Sequence, residues 1–102
     1  MNITKTQENQ TTTLALSGRL DTMTAPQLQE VLIPLLEQGN QVVLDFEKLD
    51  YVSSAGLRVL LLGAKSAEAH GGNQNLENVS PEIMEVLEMT GFNNVLTIST
   101  NL

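Results

Sequence analysis

Polar and apolar residues alternate over two short stretches near the start of the chain. Ile3 to Gln7 and Thr11 to Leu16 read as strands, and the polar turn Glu8-Asn9-Gln10 joins them into a hairpin. Gly18 punctuates the end of the second strand. The period then changes. Leu28, Val31, Leu32, Leu35 and Leu36 recur at helical spacing and mark one apolar face. Asp21, Thr22 and Thr24 are helix-start residues, with Thr24 the expected N-cap, and Gly39-Asn40 stop the helix. Pro34 falls inside it. Unless the site is adapted to a missing hydrogen bond, a kink costing about 3 kcal/mol is expected there.

Val42 to Phe46 is the strongest strand in the chain, apolar except for Asp45. A short turn should follow it, then a helix from about Ala55 to His70. Leu57, Leu60, Leu61 and Ala64 give that helix its inward stripe, and Gly71-Gly72 end it. Asn73 to Val79 is the next expected strand, yet only Leu76 and Val79 are apolar. A central parallel strand is nearly all apolar, so this one should be short and partly exposed, or weak. Ser80-Pro81-Glu82 opens a third helix: serine caps, proline takes the first turn, and glutamate complements the dipole. Ile83, Val86 and Leu87 face inward, and Gly91 closes the helix. Val95 to Ile98 reads as the last strand. The order ββαβαβαβ implies an α/β fold: a mostly parallel sheet with right-handed crossovers and an N-terminal antiparallel hairpin.

Composition narrows the class. The chain has 102 residues, 41% of them hydrophobic, which suits one domain over residues 1–102 with one core. No apolar run approaches the roughly 20 residues of a membrane span, and the polar start MNITKTQENQTTT has no signal-peptide core. A cytoplasmic protein is expected. The chain has no cysteine, so disulfides and thiolate chemistry are excluded. The net charge of −7 repels nucleic acid and anionic lipid, and Lys5, Arg19, Lys48, Arg58 and Lys65 are scattered. One tyrosine and two phenylalanines give no platform for stacking bases.

The chemistry concentrates after the best strand. Ser53 and Ser54 sit at the mouth of an apolar helix, beside free backbone N–H groups. A hydroxyl there either caps the helix or carries a phosphate. An enzyme has little support. His70, the only histidine, lies at the far end of the helix that the serines open, which disfavours a Ser–His–Asp triad. Ser53-Ser54-Ala55-Gly56 is not a G-x-S-x-G elbow, and no P-loop or metal-ligand cluster is present. Glu82, Glu85 and Glu88 have the spacing of a solvated helix face. No cofactor or metal is expected.

Three segments resemble one family. LDYVSSAGLRVLL (Leu49–Leu61) is similar to the phosphorylation loop of the STAS domain family of bacterial anti-sigma factor antagonists. SGRLDTMTAPQL (Ser17–Leu28) resembles the family's strand-to-helix turn, and NVSPEIMEVLEMTGF (Asn78–Phe92) resembles its third helix. The segments follow the family's order and spacing over nearly the whole chain. The resemblance implies a STAS-type fold. Family members usually end in another helix, and this chain reads to Leu102 just after its last strand, so that helix is expected to be absent.

Aligned on Gly56-Leu57, the family phosphoacceptor falls on Ser54. Ser53 stands where the family often carries aspartate, which removes a charge and supplies a second possible acceptor. The resemblance implies a partner surface of Asp21, Thr22, Ser53, Ser54, Gly56, Leu57 and Arg58. Gly56 is expected to allow a partner's approach or a tight turn, and Arg58 lies one helical turn past Ser54. Asp21-Thr22 should lie near the serines, because the carboxyl ends of parallel strands share one edge. The implied partners are an anti-sigma factor that is also a serine kinase, and a PP2C-type phosphatase. The implied function is a switch that binds this kinase, frees a sigma factor, and is turned off by phosphate on Ser54. A STAS scaffold or accessory subunit of a signalling or transport complex is the alternative.

Overall fold

The computed structural model describes residues 1–99. Strand β1 (Asn2–Glu8) pairs antiparallel with β2 (Thr11–Leu20), and Asn9, with φ of 57°, makes the turn between them. Helix α1 (Ala25–Glu37), strand β3 (Gln41–Val52), helix α2 (Ser54–His70), strand β4 (Asn73–Glu77) and helix α3 (Pro81–Thr90) follow. The strands lie in the order β1-β2-β3-β4, with β2, β3 and β4 mutually parallel. This is the expected mixed α/β sheet with its antiparallel hairpin.

Alternation sorts the strands into two faces. Leu14 and Leu16 of β2, Val42, Leu44 and Phe46 of β3, and Leu76 of β4 are buried together. α1 and α2 lie side by side over this face. α1 buries Leu28, Leu32 and Leu36, one residue per turn, while Val31 and Leu35 flank them half-buried. Pro34 falls on the exposed side, where the carbonyl it leaves unbonded can meet water, and the helix continues through it to Glu37. α2 buries Leu57 and Leu60 as expected. Val59, Gly63 and Ala67 join them, whereas Leu61 and Ala64 stay half-buried.

β2 and β3 both run past their expected ends, and one cause covers both. The register steps by one residue between Ala15 and Ser17 and again between Gly18 and Arg19, each time with an extra residue in β3. These bulges change the buried positions of β3 from Val42-Leu44-Phe46 to Phe46-Leu49-Val52. The period of two becomes three, so the alternation that marks a strand is lost after Phe46. The turn expected there is strand instead. Gly18, with φ of 103°, supplies the irregular backbone inside β2 rather than ending it.

The last expected strand is reduced to a single bridge, Leu76 to Ile98. After Gly91 the chain coils into a 3-10 turn, Phe92–Asn94, which turns Leu96 into the core before pairing begins. The Leu76 amide then donates to Thr97 O at 2.9 Å, and the Ser99 amide to Leu76 O at 2.8 Å. The described order is therefore ββαβαβα. The chain end at Leu102, with its expected lack of a further helix, lies outside the described residues.

Candidate functional site

The carboxyl edge of the parallel sheet carries the candidate site. β2 ends at Leu20 and β3 at Val52, and these two residues are register partners. The Ser53 amide donates to Leu20 O at 2.9 Å. This bond joins the turn after β2 to the turn after β3, so the structure brings Asp21-Thr22 beside Ser53-Ser54 across about thirty residues of sequence.

The two serines differ. Ser53 is extended (φ −94°, ψ 175°) and is the N-cap of α2: its Oγ accepts from the Gly56 amide at 3.4 Å, and its carbonyl accepts from the Leu57 amide at 2.9 Å. Ser54 is the first helical residue and is exposed, with no hydrogen bond from its hydroxyl among the described residues. The capping role considered for Ser54 therefore belongs to Ser53. The Ser54 hydroxyl is left in solvent at the positive end of a 17-residue helix.

Gly56 and Leu57 are buried beneath this loop. A β-carbon on Gly56 would come within 2.7 Å of Leu20 Cγ, and Gly56 has no positive φ. The glycine is needed for close packing of α2 on the end of β2, not for a turn or for a partner's approach. Gly56 and Leu57 shape the loop from below, while Ser54, Arg58 and Thr22 are its exposed residues. His70 sits at the other end of α2, about 25 Å away at 1.5 Å per residue; its Nδ1 lies 2.9 Å from Ser66 O.

The turn after β2 is tied to itself. Asp21 Oδ1 accepts from the Met23 amide at 3.0 Å and from the Thr24 amide at 3.1 Å, while Thr24 Oγ1 accepts from the Asp21 amide at 2.9 Å. The Thr24 hydroxyl donates to Arg19 O at 2.8 Å. Thr24 is the N-cap of α1 by position, but its side chain makes no cap bond into the helix. Desolvation pushes the Asp21 carboxyl up. The Thr24 and Met23 amides, the Thr24 hydroxyl and the Arg19 charge outweigh it and hold the pKa below the ordinary value of 3.8.

Sequence reasoning missed two neighbours of this turn. The Arg19 guanidinium lies 4.1 Å from the centre of the Tyr51 ring, and its Nε is 3.7 Å from Asp21 Oδ2. Arg19 faces Tyr51 only because of the two register steps, so no linear pattern marks the pair. Met23, at the tip of the turn, is 86% exposed. No group of three or more His, Asp or Glu among the described residues could hold a metal. No described helix is long and apolar enough to cross a membrane.

A family model described as "Mlab, STAS domain" matches residues 3–98. The anti-sigma-B factor antagonist of Bacillus subtilis is 33% identical over 84 residues, covering 82% of this chain and 77% of that protein. Among solved structures, the unphosphorylated anti-sigma factor antagonist SpoIIAA matches with a TM-score of 0.78 at 22% identity, covering 99% of this chain and 90% of its own. The phosphorylated form of the Bacillus cell fate determinant SpoIIAA matches with a TM-score of 0.74 at 23% identity, covering 98% and 93%.

Proposed function

This chain belongs to the STAS domain family, and on that premise we propose that it is an anti-sigma factor antagonist switched by phosphate on Ser54. It is a cytoplasmic binding protein rather than a catalyst. With Ser54 unmodified, the carboxyl edge of the sheet binds an anti-sigma factor that is also a serine kinase, and a sigma factor is released. The kinase transfers the γ-phosphoryl group of ATP to Ser54 Oγ. The new O–P bond replaces the bond to ADP, and the hydroxyl proton leaves to solvent or to a base on the kinase. A PP2C-type phosphatase hydrolyses the ester and resets the switch.

The observation that carries this reading is the division of labour between the serines. Ser53 caps α2, so Ser54 is free to be modified without uncapping the helix. A phosphoserine adds roughly −1.5 to −2 charges, and a helix N-terminus accommodates an anion. The change is therefore confined to what a partner meets at the rim. Loss of about 1.4 kcal/mol at that contact is already tenfold in affinity.

The test is incubation with the co-purifying kinase and Mg-ATP, followed by intact-mass analysis and site mapping. One phosphate is expected, on Ser54, and Ser54→Ala should take none. Equal phosphorylation of Ser54→Ala at Ser53 would move the acceptor by one residue. A kinase-free complex with an unmodified chain would favour the scaffold or accessory role.

A further inference from the structure

We infer that Met23, with the Tyr51 ring stacked by Arg19, anchors this protein to its anti-sigma factor, so that adhesion and switching are carried by different residues of one edge. The inference rests on the reading of Ser54 given above and assigns the contacts that supply affinity. Met23 is the most exposed large hydrophobic among the described residues. Nothing in its own turn uses its side chain, because the turn is closed by the Asp21 carboxylate and the Thr24 hydroxyl. A thioether held out by a hydrogen-bonded turn loses little backbone entropy on binding. Its flexible side chain fills an apolar pocket without demanding one shape.

The neighbours of Met23 distinguish it from an incidental surface methionine. Arg19 contacts both the Tyr51 ring and the Asp21 carboxylate, and Asp21 holds the Met23 amide. Tyr51 is itself 40% exposed. The Leu20–Ser53 backbone bond ties this cluster to the loop that bears Ser54. Methionine, tyrosine and arginine are enriched where protein interfaces are most buried. Met89 provides the contrast. It is 79% exposed, but it lies in the last turn of α3, an element separate from the two turns that form the candidate site. Single exposed hydrophobics of that kind are ordinary. The partner is expected to present an apolar pocket for Met23, with a wall that lies against the Tyr51 ring.

The test uses the full chain and the kinase that phosphorylates Ser54, with affinity read by calorimetry and phosphorylation by steady-state kinetics. Met23→Ala should weaken binding about tenfold or more and leave the melting temperature unchanged. It should raise KM for the chain as kinase substrate and spare kcat. Tyr51→Ala should also weaken binding, whereas Met89→Ala should match the wild type. Wild-type affinity in Met23→Ala, or an equal loss in Met89→Ala, overturns the anchor while leaving the Ser54 switch in place. Failure of the unmodified wild-type chain to bind the kinase overturns the switch and the anchor together.

Discussion

Asp21 shows how one side chain can hold a loop in a shape that another residue uses. Its carboxylate accepts two backbone N–H bonds and faces Arg19, and the bonds exist only in the folded chain. Its folded pKa is therefore depressed. The sign follows: the stability it contributes is complete above the unfolded pKa and is lost as pH falls through the lower, folded one. The wild type should lose thermal stability on acidification below about pH 4, and Asp21→Asn should flatten that part of the curve. An unchanged acid limb in Asp21→Asn would mean that the turn is held by Thr24 alone. At this scale the sequence was partly legible. Asp21, Ser53 and Ser54 stood out as helix-start residues because capping depends on local spacing. Assigning the cap to Ser53 rather than Ser54 needed the helix to begin at a definite residue, and spacing leaves that open by one position. Gly56 was misread because its close neighbour, Leu20, lies on another strand.

β4 shows the same limit at the level of an element. Its polar sequence suggested weakness, and the strand is indeed short, five residues, on the far side of β3 from the hairpin. Yet Gln74 is buried, 3% exposed, and its Nε2 donates to Leu60 O on α2 at 3.0 Å. Gly63 leaves the space its amide fills, and a methyl at that position would meet both Gln74 and Leu32. The sequence could not show that a glycine on α2 and a glutamine on β4 form one packing unit. Gln74 Oε1 has no hydrogen-bond partner among the described residues, which makes this buried amide costly. Gly63→Ala alone should destabilise by about 1–3 kcal/mol through overpacking. Combining it with Gln74→Ala should cost clearly less than the sum of the two single changes, because the shorter side chain vacates the space. Additive losses in urea unfolding would show that the two positions are not in contact. The long run of β3 was hidden for a related reason. Phe46, Leu49 and Val52 are buried three apart, and only the pairing with β2 explains that spacing.

For the whole molecule, the arrangement predicts that folding and switching can be separated by substitution. The sheet and the α1–α2 layer bury the core on one face, and the loops with candidate functions lie together at one edge above it. Ser53 belongs to the folding side of that division. Its hydroxyl satisfies the Gly56 amide through a long 3.4 Å bond, so Ser53→Ala should cost about 0.5–1 kcal/mol, the lower part of the range for a lost N-cap. Ser54 belongs to the side on which the proposed switch acts. It is exposed in the first turn of α2, where negative charge is favourable, so Ser54→Asp should melt at or slightly above the wild-type temperature. The same substitution should weaken binding to the anti-sigma factor kinase, while Ser53→Ala should bind nearly as the wild type does. Circular dichroism melts and titrations on the same four proteins, with Ser54→Ala as the uncharged control, measure both axes. If Ser54→Asp unfolds the chain, or if Ser53→Ala loses affinity as severely as Ser54→Asp, the charge is acting through the fold rather than at its surface. The local-surface mechanism would then have to be abandoned.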